Sequence, residues 1–436
     1  MATWYGDTWY YFDEWSTIER SLDSWSGMFA GHQGHLSVFS FVLYRIQRTI
    51  FGLDGQEVLW AALMASVAAM QVTLALLLRR LGLSTLFALL IASAVTFFGP
   101  GAQDVVWAFQ WNINLALALS FFAAVLALRD SPTPRLAVAV ATLLVLAVAA
   151  DSGVAIIGAI FVGILIVQRW PSRLALTALA TPFIAHVAWL ILGDNPHYSA
   201  SFDKVWTLAN RLVLYSAAGL VGGGETHTTH GGPPDPPVIG ISAGKLGLAV
   251  LAVAAALVAY GLHRQRVSRP VIAALVAGTV TAVAAAGLLA WSRAFLTPPS
   301  QLFGNRYIQW VAFFLVIALV PAIAASVRTA AVPRPWVNVV AALAVVAVFV
   351  VNLEQFRPVL DFYKAKGQET KVVVGEAVSL LQAGCRNGRQ PHPDTEPNPE
   401  LAPQISVALI DDLLEDGSLA GVPVVRATST TRRAVC

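Results

Sequence analysis

Two adjacent carboxylates, Asp13 and Glu14, stand in the stretch WYGDTWYYFDEWSTIERSLDSW, framed by Tyr10, Tyr11, Phe12 and Trp15. A carboxylate in such a setting suits general-base work, taking the proton of an acceptor hydroxyl as that hydroxyl attacks. The aromatic faces suit sugar rings, and they equally suit an aromatic belt at a membrane surface. Composition leaves both readings open.

Other residues could join that chemistry. His32 and His35 open the segment GHQGHLSVFSFVLYRIQRTIFG, in which Arg45 and Arg48 are placed to meet phosphate headgroups or the phosphate of a lipid-linked substrate. Asp104 in GPGAQDVVWAFQW precedes Gln110 and Asn114, which are four apart and share a helix face, so they read as a site wall or as helix-capping groups. Arg293, Arg306 and Tyr307 lie near late apolar runs. Guanidinium matches phosphate bidentately, and a pair with a local carboxylate explains it equally well. Glu225, His227 and His230 have metal-ligand chemistry, but the glycines and prolines around them preset no geometry. The two cysteines, Cys385 and Cys436, form no CxxC pair and read instead as a disulfide candidate.

The elements that must hold these residues are set by composition. The chain is 57% hydrophobic and only 12% charged, against about 25% charged in soluble domains. Its net charge of +3 gives no ground for nucleic-acid binding. Apolar runs of bilayer-crossing length recur at 57–78, 83–98, 107–128, 135–150, 152–168, 174–192, 242–262, 270–291, 307–327 and 336–353. The fold class is therefore an all-α polytopic membrane protein with about ten spanning helices. The division is a first loop over 1–56, a membrane domain over 57–353 and a polar tail over 354–436.

Orientation follows from the basic loops. Arg79 and Arg80, Arg129 and Arg135, Arg169 and Arg173, Arg264, Arg266 and Arg269, and Arg328 and Arg334 occupy alternate connections, which are read as cytoplasmic. Both polar ends then lie on the non-cytoplasmic side of the membrane. Residues 1–35 carry no export signal, so a further spanning helix is expected ahead of Met1, making eleven. Residues 203–221 are interrupted by Asn210 and Arg211 and are expected to form an interfacial or re-entrant helix. In 31–52, Phe39, Val42, Leu43, Ile46 and Ile50 make one stripe and Ser37, Ser40, Tyr44 and Arg48 another, which predicts an amphipathic helix lying in the outer interface. The tail combines FYKAKGQETKVVVGEAVSLLQAGC with ISVALIDDLLEDGSLAGVPVV and is expected to form a small α/β cap. Within the spans, His186, Gln71 and Asn352 are the main polar intrusions, and His186 reads as an interhelical hydrogen-bonder before it reads as a relay.

The order of these features resembles the GT-C superfamily of membrane glycosyltransferases, in particular an uncharacterised actinobacterial multi-span group. The resemblance rests on the Asp13-Glu14 pair followed by GHQGHLSVFSFVLYRI, on QDVVWAFQWNINLALALSFFAAVLAL, and on NRYIQW before a late span. It implies a polyprenyl-phosphate sugar donor, a glycan, lipid or protein acceptor, and transfer on the outer leaflet. It also implies Asp13 as base with Glu14 beside it or in its place, Asp104 as the acid of the second outer loop, and Arg306 with Tyr307 at the donor phosphate. Arg45, Arg48 and Arg293 are further phosphate candidates, and Trp15, His32, His35, Gln110 and Asn114 are candidates for sugar or acceptor. The resemblance fixes no cofactor and leaves a divalent metal open. A catalytically silent member that binds lipid-linked glycan, and a lipid-carrier transporter, are the alternatives.

Overall fold

A computed structural model describes residues 8–23, 25–29, 31, 35–192, 201–223, 243–293, 305–327, 334–385, 391–399 and 401–436. His32, the segment holding Glu225, His227 and His230, and the side chains of Arg293 and Arg306 lie outside the described residues.

The first loop supplies α1 (Asp13–Leu22) and α2 (Val38–Ile46), the latter running into one turn of π-helix at Gln47–Phe51. The apolar runs become α3 (Glu57–Arg80), α4 (Thr85–Thr96), the short α5 (Gln103–Val106), α6 (Trp111–Ala127), α7 (Pro134–Ala150), α8 (Ser152–Val167) and α9 (Ser172–Leu192). Next come α10 (Phe202–Gly219), α11 (Ala243–His263), α12 (Arg269–Arg293), α13 (Asn305–Val327) and α14 (Arg334–Glu354). The tail adds α15 (Phe356–Ala383), α16 (Val407–Glu415) and α17 (Ser429–Val435).

Among the described residues, seven helical stretches are long and apolar enough to cross a membrane, and α4, α7 and α8 are shorter apolar helices. The chain is thus an all-α polytopic protein. Its apolar helices carry Leu, Val and Ile on outward faces, such as Ile191 and Val283, which suits contact with lipid chains. The segment at 203–221 forms α10, whose buried face (Leu208, Leu212, Ser216) packs on the bundle while Phe202 and Trp206 stay exposed.

Among the described residues two large cores stand out, beside a small cluster of Val258, Val267, Val271 and Ala322. One lies inside the bundle, around Phe121, Phe161, Phe313 and Phe314. The other is an aromatic cap at one end, uniting Trp9, Tyr10, Tyr11, Trp15 and Tyr44 with Trp107 and Phe109 and with tail residues from Phe356 to Val435. The first loop and the tail, far apart in sequence, are therefore one packed unit. Leu53 donates its N–H to the Ser418 carbonyl at 2.8 Å, and Lys371 pairs with Asp54 at 3.2 Å. At the other end, Arg169 pairs with Asp130 and Arg266 reaches the Ser326 carbonyl, so these Arg-bearing connections sit away from the cap.

The α/β expectation for the tail is corrected. No strand forms among its described residues. The valines of KVVVGEAV suggest a strand, but Val374, Ala377 and Val378 are buried at helical spacing, and packing against the first loop overrides β propensity. Cys385 and Cys436 are disulfide-bonded, with Cα atoms 5.6 Å apart, tying the end of α15 to the end of α17.

Candidate functional site

The acid pair begins α1. Phe12, immediately before it, has φ of +53°, a region that costs a non-glycine residue roughly 1–2 kcal/mol. Glu14 helps hold that turn, because its Oε2 accepts the Tyr11 N–H at 2.9 Å. The same oxygen accepts the Trp107 indole N–H at 3.0 Å. Oε1 accepts the Tyr44 hydroxyl at 2.8 Å and the Gln56 amide at 3.0 Å. One fully buried carboxylate thus receives four donors, drawn from the first loop, α2, the start of α3 and the segment after α5. Burial pushes its pKa up to about 7, while the donors from Tyr11, Tyr44, Trp107 and Gln56 pull it down. Burial and the Glu14 charge push the Tyr44 hydroxyl well above its ordinary range, so it stays a donor.

Asp13 is equally buried, at 2% exposure, and its carbonyl accepts the Ser16 hydroxyl. It lies one residue from Glu14, in the first turn of α1.

Asp104 is held in α5 by a different set. Its Oδ2 accepts the Trp310 indole N–H at 3.1 Å, and its carbonyl accepts the Asn114 amide at 2.7 Å. Asn114 also donates to the Gln110 carbonyl, so its amide pins the broken helical run 103–110 to α6. Tyr307 packs edge-on against Trp310. The position of α5 depends on the preceding Gly99-Pro100-Gly101 turn. A Cβ at Gly101 would lie 2.5 Å from Gln309 Cβ, and one at Gly99 would lie 2.9 Å from Gln355 Cβ. Asp104 and Trp107 leave opposite ends of this one short helix, linking the Trp310 side of the bundle to Glu14.

The structure therefore brings Glu14 and Asp104 into one buried assembly. His35 is elsewhere, with its ring over Gly153 beside Asp151, which caps α8 through the Val154 N–H. Trp15, the sugar-platform candidate, lies within the aromatic core of the cap. It is wholly buried, its indole N–H points to the Tyr10 carbonyl, and Trp9 and Tyr10 pack edge-on to it.

The partners of both acids, Tyr44, Gln56, Trp107 and Trp310, were missed as functional residues. A signal existed: an indole N–H in an apolar stretch needs an acceptor, and each motif with a tryptophan near an acid offers one. Among the described residues no group of three or more His, Cys, Asp or Glu side chains is arranged to hold a metal ion. No protein-family model, curated protein or solved structure matches the chain.

Proposed function

We propose that the protein transfers a sugar from a polyprenyl-phosphate donor to an envelope glycan, lipid or protein acceptor at the outer face of a bacterial plasma membrane. The observation that supports this best is the division of labour between Asp13 and Glu14. Glu14 has its two oxygens filled by four donors and serves to position the loop. The resemblance assigns the base role to Asp13, its neighbour in the first turn of α1. Asp13 takes the proton of the acceptor hydroxyl, whose oxygen bonds to the anomeric carbon. The bond from that carbon to the phosphate oxygen breaks, and the lipid phosphate leaves with the bonding pair. Arg306, by its resemblance, is the residue assigned to that phosphate.

The outward orientation of the cap is supported twice. The arginine-rich connections are the ones that favour the cytoplasm, and the Cys385–Cys436 bond belongs to an oxidising compartment.

The test is glycan transfer in membranes containing the full-length protein, supplied with pooled polyprenyl-phosphate sugars. Wild type should form product, and Asp13→Asn should form none at equal expression. Product from Asp13→Asn equal to wild type would remove Asp13 from catalysis. A second reading, a silent lipid-linked-glycan binder, is favoured by the burial of both acids and of Trp15 in the cap core. Absence of product across all donors would favour it.

A further inference from the structure

A cleft of about 700 Å³ opens between the π-helical turn of the first loop and the tail residues Asp416–Gly421, away from the carboxylates described above. Arg45 and Arg48 form one wall. Their situations differ. Arg48 donates to the Ser21 hydroxyl and carbonyl and is ion-paired with Asp416. Arg45 has no carboxylate partner among the described residues. Its Nη1 reaches the carbonyls of Ser21 and Asp23, at 3.2 Å for the former, and its guanidinium stacks on Trp25 at 4.7 Å. The hydrogen bonds described for Arg45 all come from Nη1, so Nε and Nη2 remain available to an anion. Asp54, also on the cleft, is already taken by Lys371.

The cleft has an apolar rim of the kind a membrane surface would cover. Helix α2 buries Ser40, Phe41 and Tyr44, while the large side chains left exposed at its end and in the following π turn are apolar, Ile46 at 39%, Ile50 at 67% and Phe51 at 57%. Trp25 and Ile46 continue this surface beside Arg45. A phosphate with an attached lipid chain satisfies both halves at once, since the chain covers the rim and the phosphate meets the guanidinium.

We infer that this cleft binds the phosphate of a membrane-anchored lipid, with Arg45 as its primary contact and Asp416 as an internal competitor for Arg48. The inference does not depend on the transfer chemistry, because none of its residues belongs to the acid assembly.

The experiment titrates purified full-length protein in neutral detergent with dioctanoyl phosphatidic acid, dioctanoyl phosphatidylcholine and inorganic phosphate, reading bound mass by native mass spectrometry. Phosphatidic acid should bind and the other two should not. Arg45→Gln should weaken its binding about tenfold, the loss of one charge-assisted contact. Asp416→Asn frees Arg48 and should tighten binding, a gain that misfolding does not produce. Arg306→Gln, at the residue assigned to the donor phosphate, should leave phosphatidic acid binding unreduced, which separates this site from the proposed active site. Equal binding of phosphatidylcholine, equal binding of inorganic phosphate, or no change in both Arg45→Gln and Asp416→Asn would overturn the inference.

Discussion

The indole nitrogen of Trp107 lies 3.0 Å from Oε2 of Glu14, although 93 residues separate them. That bond joins the segment after α5 to the first loop, and with Tyr44 and Gln56 it makes Glu14 the point at which the cap is fastened to the bundle. Replacing the carboxylate by an amide puts an N–H where four N–H and O–H donors already converge. Glu14→Gln should therefore lower stability by about 1–3 kcal/mol, the cost of leaving buried donors unmet, read as the thermal midpoint in detergent at pH 7.

The same residue predicts a pH dependence. Burial holds the folded carboxyl at about 7, above its ordinary value of 4.5. The folded state binds the proton more tightly than the unfolded state. The stability this confers is complete below about pH 4.5 and is lost as pH rises through 7, about 3 kcal/mol in all. Wild type should lose midpoint across that window relative to Glu14→Gln. Parallel curves for the two proteins would show that Glu14 does not titrate there.

Gly367 on α15 is a close-approach position. A Cβ there would lie 2.6 Å from the Trp9 carbonyl oxygen and 2.8 Å from its nitrogen. Backbone cannot swing aside as a side chain can, so Gly367→Ala should push the first loop off the tail at a cost of about 1–3 kcal/mol. Limited proteolysis of the first loop should accelerate. Gly287→Ala, where a Cβ meets nothing within 4 Å, should behave as wild type.

Breaking the Cys385–Cys436 bond opens a loop of 51 residues. The chain-entropy estimate gives about 4 kcal/mol, and the loss should be confined to the cap. Cys436→Ser, or reductant added to wild type, should make residues 391–436 protease-sensitive while the bundle stays intact. Unchanged cleavage would show that packing alone secures the tail.

Trp310→Phe removes the indole donor to Asp104. The variant should lose about 1–3 kcal/mol, and Asp104→Asn in the same background should add little, because the two share one interaction. Additive losses would mean the bond contributes nothing to stability.

The bundle was legible in the sequence because an apolar run of membrane length has few other uses. Every apolar run named from the sequence coincides with a helix. The amphipathic pattern of 31–52 was legible too, and the structure adds which side faces where: Tyr44 turns inward to Glu14, while Ile50 turns out. The tail was misread because three consecutive valines at 372–374 carry strand propensity, and only the first loop, folded against α15, decides the contest. Of the donors to Glu14 only Trp107 carried a signal, its indole N–H in need of an acceptor. Tyr44, Gln56 and Trp107 come from separate segments, and no spacing rule connects them.

The cap joins the first loop to the tail, with the apolar helices α3 to α14 between them. Trp9, Tyr11, Trp15 and Tyr44 bury against Phe356, Tyr363 and the residues after them. Contacts of such long sequence separation form late in folding. During synthesis, then, an aromatic first loop must wait, unsatisfied, until the last helix has been inserted and the tail delivered to the same side. Bundle assembly becomes a precondition for the cap, and a chain stalled midway would present those tryptophans and tyrosines to quality control.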